Sequence, residues 1–147
     1  MDTICNDPVF GTMQYKHGWQ KRENVTLLGK IWPLTIAAQA YRGKPITAAE
    51  QTGYQYVQKN WQRLQAELAQ ALTAYVRENA ADIRPYYPRV ETLLSPEGLV
   101  QAVTPKKLYC QLDGSVVLLL DCAWDEEDGL GIQVYPTLEI ASQDAFL

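Results

Sequence analysis

The chain has 147 residues, 47% hydrophobic and 20% charged, with a net charge of −4 and a pI near 5.0. That length and apolar content fit one domain, residues 1–147, with a real buried core, and exclude a disordered chain. The acidic balance argues against nucleic-acid binding, which normally shows a basic patch. The longest aliphatic run, Val116 to Leu120, is far too short to span a bilayer.

Met1 to Pro8 carries neither a basic n-region nor an apolar h-region, so no secretory signal is predicted. Val9 to Tyr15 reads as a short strand ending near His17-Gly18. Val25 and Leu27, then Trp32, Leu34 and Ile36, alternate around Gly29-Lys30, which predicts a tight hairpin. Pro33 cannot donate to a ladder, so that strand must have an edge or a bulge there.

Arg42 to Pro45 breaks the strand pattern. Thr47 followed by Glu50 has the spacing of a capping box and starts a helix. Tyr54, Val57, Trp61, Leu64, Leu68, Leu72 and Tyr75 then recur at helical steps to about Asn79. One amphipathic helix of that length would be on the order of 50 Å, so a bend near Gly53 or beyond Ala66 is allowed for. Pro85 and Pro88 bracket a loop with Tyr86 and Tyr87. Ser95 with Pro96 predicts a short helix to Val103.

The rest reads as β. Leu108 to Leu112, Asp113-Gly114 and Ser115 to Trp124 predict a hairpin. Val116 to Leu120 is apolar at every position, so this strand should be central and covered on both faces. Asp125 to Gly129 reads as a turn, followed by strands at 131–135 and 138–141. Strands, then helices, then strands make an α+β fold: an antiparallel sheet of N- and C-terminal strands with one long amphipathic helix on a face.

Cys5, Cys110 and Cys122 are odd in number and lack CxxC spacing, so neither zinc nor thioredoxin chemistry is signalled. A turn at Asp113-Gly114 puts Cys110 opposite Val117 and Cys122 opposite Pro105, too far apart to pair. Reduced thiols and a cytoplasmic location are expected.

Charge is the most informative feature. Residues 108–147 hold eight acidic residues and no Lys or Arg, whereas the first 107 hold all 13 basic and nine acidic ones. Five of the eight lie between Asp121 and Asp128. The turn does not match a calcium loop: placing Gly129 at the sixth position puts Trp124 at the first and Tyr135 at the twelfth. A partner-binding acidic tip or a plain solvated turn is expected instead, with no metal and no cofactor. Asp121, inside an apolar strand, needs a hydrogen-bond donor or a cleft. His17, the only histidine, sits at a predicted turn, and no Gly-x-Ser-x-Gly or phosphate loop is present.

Several segments carry a resemblance: Phe10-Gly11 with Tyr15 and Trp19, Val25 to Lys30, Leu120 to Ile132, and Ser142 to Asp144. Together they resemble a family of small uncharacterised bacterial cytosolic domains found beside polymorphic toxins, which includes candidate immunity proteins. The resemblance implies a non-enzymatic interaction protein and carries over no catalytic residue. An acidic C-terminal face would meet a basic protein, such as a toxin domain or nuclease, through Asp121, Trp124, Asp125, Glu126, Glu127, Asp128 and Tyr135. The competing reading is a small-ligand-binding protein or hydrolase that uses Asp121 in a sheet–helix cleft.

Overall fold

The computed structural model describes residues 3–40 and 44–146. Eight strands form a single sheet in chain order: β1 (Ile4–Asp7), β2 (Gly11–Tyr15), β3 (Trp19–Leu27), β4 (Lys30–Ala38), β5 (Val103–Cys110), β6 (Val116–Cys122), β7 (Asp125–Tyr135) and β8 (Glu139–Ser142). Between β4 and β5 come α1 (Ala48–Lys59), α2 (Trp61–Glu78), α3 (Ala80–Ile83), a 3-10 turn at Val90–Leu94, and α4 (Pro96–Ala102). A second 3-10 turn, Gln143–Ala145, follows β8. The α+β class and the single domain hold. β1 was not foreseen.

The strand pattern predicts an antiparallel sheet, but the sheet is mixed. Thr35–Ala38 of β4 runs parallel to Lys107–Cys110 of β5, while the other neighbouring pairs are antiparallel. The helical segment carries the chain from the end of β4 back to the start of β5, and such a crossover permits parallel pairing.

The expected single long helix is two. It breaks at Asn60, not near Gly53 or beyond Ala66. Asn60 leaves the helical region at φ −110° and ψ 12°, and its backbone and side-chain amides both donate to the Tyr56 carbonyl, at 3.0 and 2.8 Å. That local bonding competes with helix propagation. Gly53 serves a different purpose: a Cβ there would overlap the Gly114 carbonyl, so glycine lets α1 lie directly on the β5–β6 loop. The capping box forms, with Glu50 N donating to Thr47 Oγ1 at 3.2 Å and Thr47 N donating to Glu50 Oε1 at 3.0 Å. Ser95 caps α4 by accepting from Gly98 N at 3.3 Å.

The helix stripe faces the sheet. Tyr54, Val57, Leu64, Leu68, Leu72 and Val76 are buried in one core with Leu34, Ile36, Leu108, Leu118, Leu120, Leu130 and Ile132. Trp61 departs from the expected stripe. It opens α2 half-buried, with its indole N–H on the Thr26 carbonyl at 2.9 Å. β6 is central and covered on both sides, every residue from Val116 to Leu120 being buried. On the face away from the helices the C-terminal turn folds back. The Phe146 ring lies against Gly131, the partner of Leu119, and Gln111 Nε2 donates to the Phe146 carbonyl. Among the described residues no helix is long and apolar enough to cross a membrane.

Candidate functional site

The acidic segment is not the turn that the residues Asp125 to Gly129 predict. The β6–β7 turn is Ala123-Trp124, with Cys122 paired to Asp125, and its Ala123 N–H is anchored on the Ala102 carbonyl at 2.8 Å. The next ladder pair is Leu120 with Leu130. Glu126, Glu127, Asp128 and Gly129 therefore bulge out opposite the single residue Asp121.

Two hydrogen bonds and one glycine hold that bulge. Asp128 N donates to Asp125 Oδ1 at 3.1 Å. Gly129 adopts φ +61°, and a Cβ there would overlap the Leu120 carbonyl and the Gln143 side-chain amide. Gln143 Nε2 in turn donates to the Leu120 carbonyl at 2.9 Å, supplying a donor where the ladder is interrupted.

The bulge forms one wall of an open cleft of ≈ 740 Å³. Asp125, Glu126 and Glu127 line it beside Ala123 and Trp124. Tyr75, Asn79, Asp82, Ile83 and Tyr86, from the α2–α3 junction and the loop after it, form the opposite wall. Asn79 ends α2 at φ −114° and turns the chain so that Asp82 and Tyr86 face the hairpin. Among the described residues no Lys or Arg lines the cleft, which has four carboxylates and two tyrosines. Desolvation pushes the Tyr75 hydroxyl above its ordinary pKa, and Cys122, Asp125 and Asp82 add to the shift. Among the described residues no three His, Cys, Asp or Glu side chains converge as a metal ion would require.

The remaining predicted site residues separate. Trp124 is only 7% exposed and belongs to the core, so it reaches the cleft only at the lining and is no protruding anchor. Tyr135 is at the far end of β7, its ring 4.9 Å from that of Tyr56, and is not part of the acidic wall. Asp121 is exposed and paired with Lys106 Nζ at 2.9 Å. It does not line this cleft. Asp128 is exposed on the bulge outside the cleft lining. His17 is exposed at the β2–β3 turn with φ 62°.

Asp82, Tyr86 and Gln143 escaped sequence reasoning as site residues, and Tyr75 was assigned to the core. The one available signal was Tyr86 in a proline-bracketed loop, where it is 73% exposed. Nothing local links the α2–α3 junction to residues more than 40 positions later.

The profile of one family, DUF6985, described as a domain of unknown function, matches residues 9–147. No curated protein and no solved structure matches the chain significantly.

Proposed function

The chain belongs to the DUF6985 family, and we propose that it is an interaction protein that takes a basic protein partner into the cleft between the β6–β7 bulge and the α2–α3 junction. The observation that carries this reading is the lining: Asp82, Asp125, Glu126 and Glu127 with Tyr75 and Tyr86, and no described Lys or Arg. A guanidinium or ammonium group entering such a cleft gains carboxylate partners and an aromatic face together. Cation–π contact contributes about 0.5–2 kcal/mol according to desolvation. The surrounding negative field raises association rates about 10- to 1,000-fold.

The partner class we propose is a basic toxin domain, with a nuclease as one example, neutralised in the cytoplasm by a non-enzymatic immunity-like protein. The resemblance carried by Leu120 to Ile132 and Ser142 to Asp144 supports this. The same segments form the bulge and supply its Gln143 tether. Asp121 and Asp128 extend the acidic surface beside the cleft.

The test is capture from the native cell with the intact chain and with the variant Asp82→Asn, Asp125→Asn, Glu126→Gln, Glu127→Gln as baits. A basic protein held by the intact chain alone, with association that slows steeply as salt rises, is the expected result. Association that is equally fast with the variant and insensitive to salt would refute the reading.

A further inference from the structure

β3 is bonded along its whole length to β4 but only briefly to β2. Nine residues of β3, Trp19–Leu27, pair with β4, whereas β2 reaches only Trp19 and Gln20 before it diverges. Among the described residues no strand covers the β2 side of Arg22 to Thr26. Ladder alternation determines which groups face that side. Asn24 is opposite Pro33, which has no N–H, and the Thr26 carbonyl is taken by the Trp61 indole and not by β4. The N–H and C=O groups of Arg22 and Asn24, and the N–H of Thr26, therefore point to an open edge.

The outer strands of the sheet are blunted differently. β1 and β8 have four residues each, too short to template much pairing. β4 is open on its β5 side before Thr35, but Pro33 interrupts that row of donors. Among the described residues β3 offers a longer stretch than these, with successive donors and acceptors.

Two cavities flank this edge. On the helix side is an apolar one of ≈ 210 Å³, whose walls include Val25, Leu34, Ile36, Val57, Trp61 and Leu108. Where β2 and β3 splay apart is another, of ≈ 470 Å³, which has Lys16, Lys21 and Arg22 in its lining and no carboxylate. Lys21 is tied to Glu23 at 2.8 Å, leaving Lys16 and Arg22 to set its charge. A lining with cations and no carboxylate favours an acidic strand as the occupant.

We infer that the β3 edge Arg22–Thr26 is a strand-addition site for an extended segment of a partner protein with alternating apolar and acidic side chains. Main-chain bonds to Arg22 and Asn24 provide register. An apolar side chain on the helix-facing side of the added strand fills the cavity beside Val25. The adjacent acidic side chain, on the opposite face, meets Arg22 and Lys16. This surface is distinct from the acidic cleft and of opposite charge, so the two could be occupied together.

The test uses a synthetic eight-residue peptide alternating Leu or Val with Glu, added to the full chain and read by amide hydrogen exchange and fluorescence anisotropy. Three controls accompany it: the Lys-for-Glu peptide, a peptide N-methylated at alternate residues, and the protein variant Arg22→Glu. Exchange at the amides of Arg22 and Asn24 should slow. N-methylation should weaken binding by about tenfold or more, because two or more main-chain bonds are lost. The Lys peptide and Arg22→Glu should each weaken it several-fold at low salt. Because N-methylation alters only the peptide, that arm is independent of whether the variant folds. No binding at millimolar peptide, protection elsewhere, or indifference to N-methylation would overturn the inference. None of these outcomes bears on the acidic cleft, which is tested separately.

Discussion

The side-chain amide of Gln143 donates to the main-chain carbonyl of Leu120 at 2.9 Å, across the point where the β6–β7 ladder opens into the acidic bulge. Residues 23 positions apart thus decide whether that bulge has a defined shape. Replacing Gln143 by Ala leaves a buried carbonyl without this donor, which costs about 1–3 kcal/mol. Urea melts should show that loss. Proteolysis or hydrogen exchange should open first at Glu126 to Gly129.

Gly129→Ala should be worse than Gln143→Ala. It adds a Cβ at φ +61° and drives it into the Leu120 carbonyl and the Gln143 amide. Strain of this type costs about 1–3 kcal/mol before the clash is relieved. Relief requires breaking the Gln143 bond as well. The pair Gly129→Ala with Gln143→Ala should therefore lose less than the sum of the singles in a double-mutant cycle.

Glu50 is fully buried, and its Oε2 has no hydrogen-bond partner among the described residues. Desolvation raises its pKa above the ordinary 4.5, against the lowering by its bonds to Thr47, and Asp7 pushes the same way as burial. A carboxyl raised on folding binds its proton more tightly in the native state. Its contribution is fully present below the unfolded pKa and is lost as pH rises through the folded one. Glu50→Gln keeps the capping acceptor and removes the charge. It should be more stable than the parent at neutral pH, with the gap closing below about pH 4.5. Urea melts across pH would show a constant gap if Glu50 did not titrate.

Trp61→Ala should cost less than a core truncation. Its indole is half-buried and contributes one bond to Thr26, so a loss of about 1–2 kcal/mol is expected. Leu68→Ala, at 0% exposure on the same helix, should cost about 2–5 kcal/mol. Equal losses in urea melts would place the ring in the core.

The three thiols are free. Burial, then Asp125 and Asp121, push the Cys122 thiol up to about 12, and burial raises Cys110 as well. Half-exposed Cys5 should be the one thiol to react with a disulfide reagent in the native chain. Cys110 and Cys122 should react only on unfolding. Rapid titration of two or three native thiols would contradict this.

Features that depend on neighbouring residues were legible in the sequence. The Thr47–Glu50 box, the Ser95 cap with Pro96, the β3–β4 hairpin at Gly29 and the double burial of Val116 to Leu120 each follow from a few adjacent side chains. The charge split singled out Asp121 to Asp128, but the turn expected at Asp125 to Gly129 is a bulge. A bulge and a turn share a composition and differ only in what pairs across them. Asn60 ended the helix by bonding its own side chain back to Tyr56, which periodicity does not register. The parallel contact between β4 and β5, the tether from Gln143 and the meeting of Tyr75, Asp82 and Tyr86 with the hairpin all join residues far apart in the chain. Sequence alone determined the class of fold and the central strand, because local propensity and burial pattern act over a few residues. Only the tertiary structure decided which acids face a cleft, which tyrosines oppose them and which strand edge stays open. Those depend on register and packing between distant segments, whose energies no single segment carries.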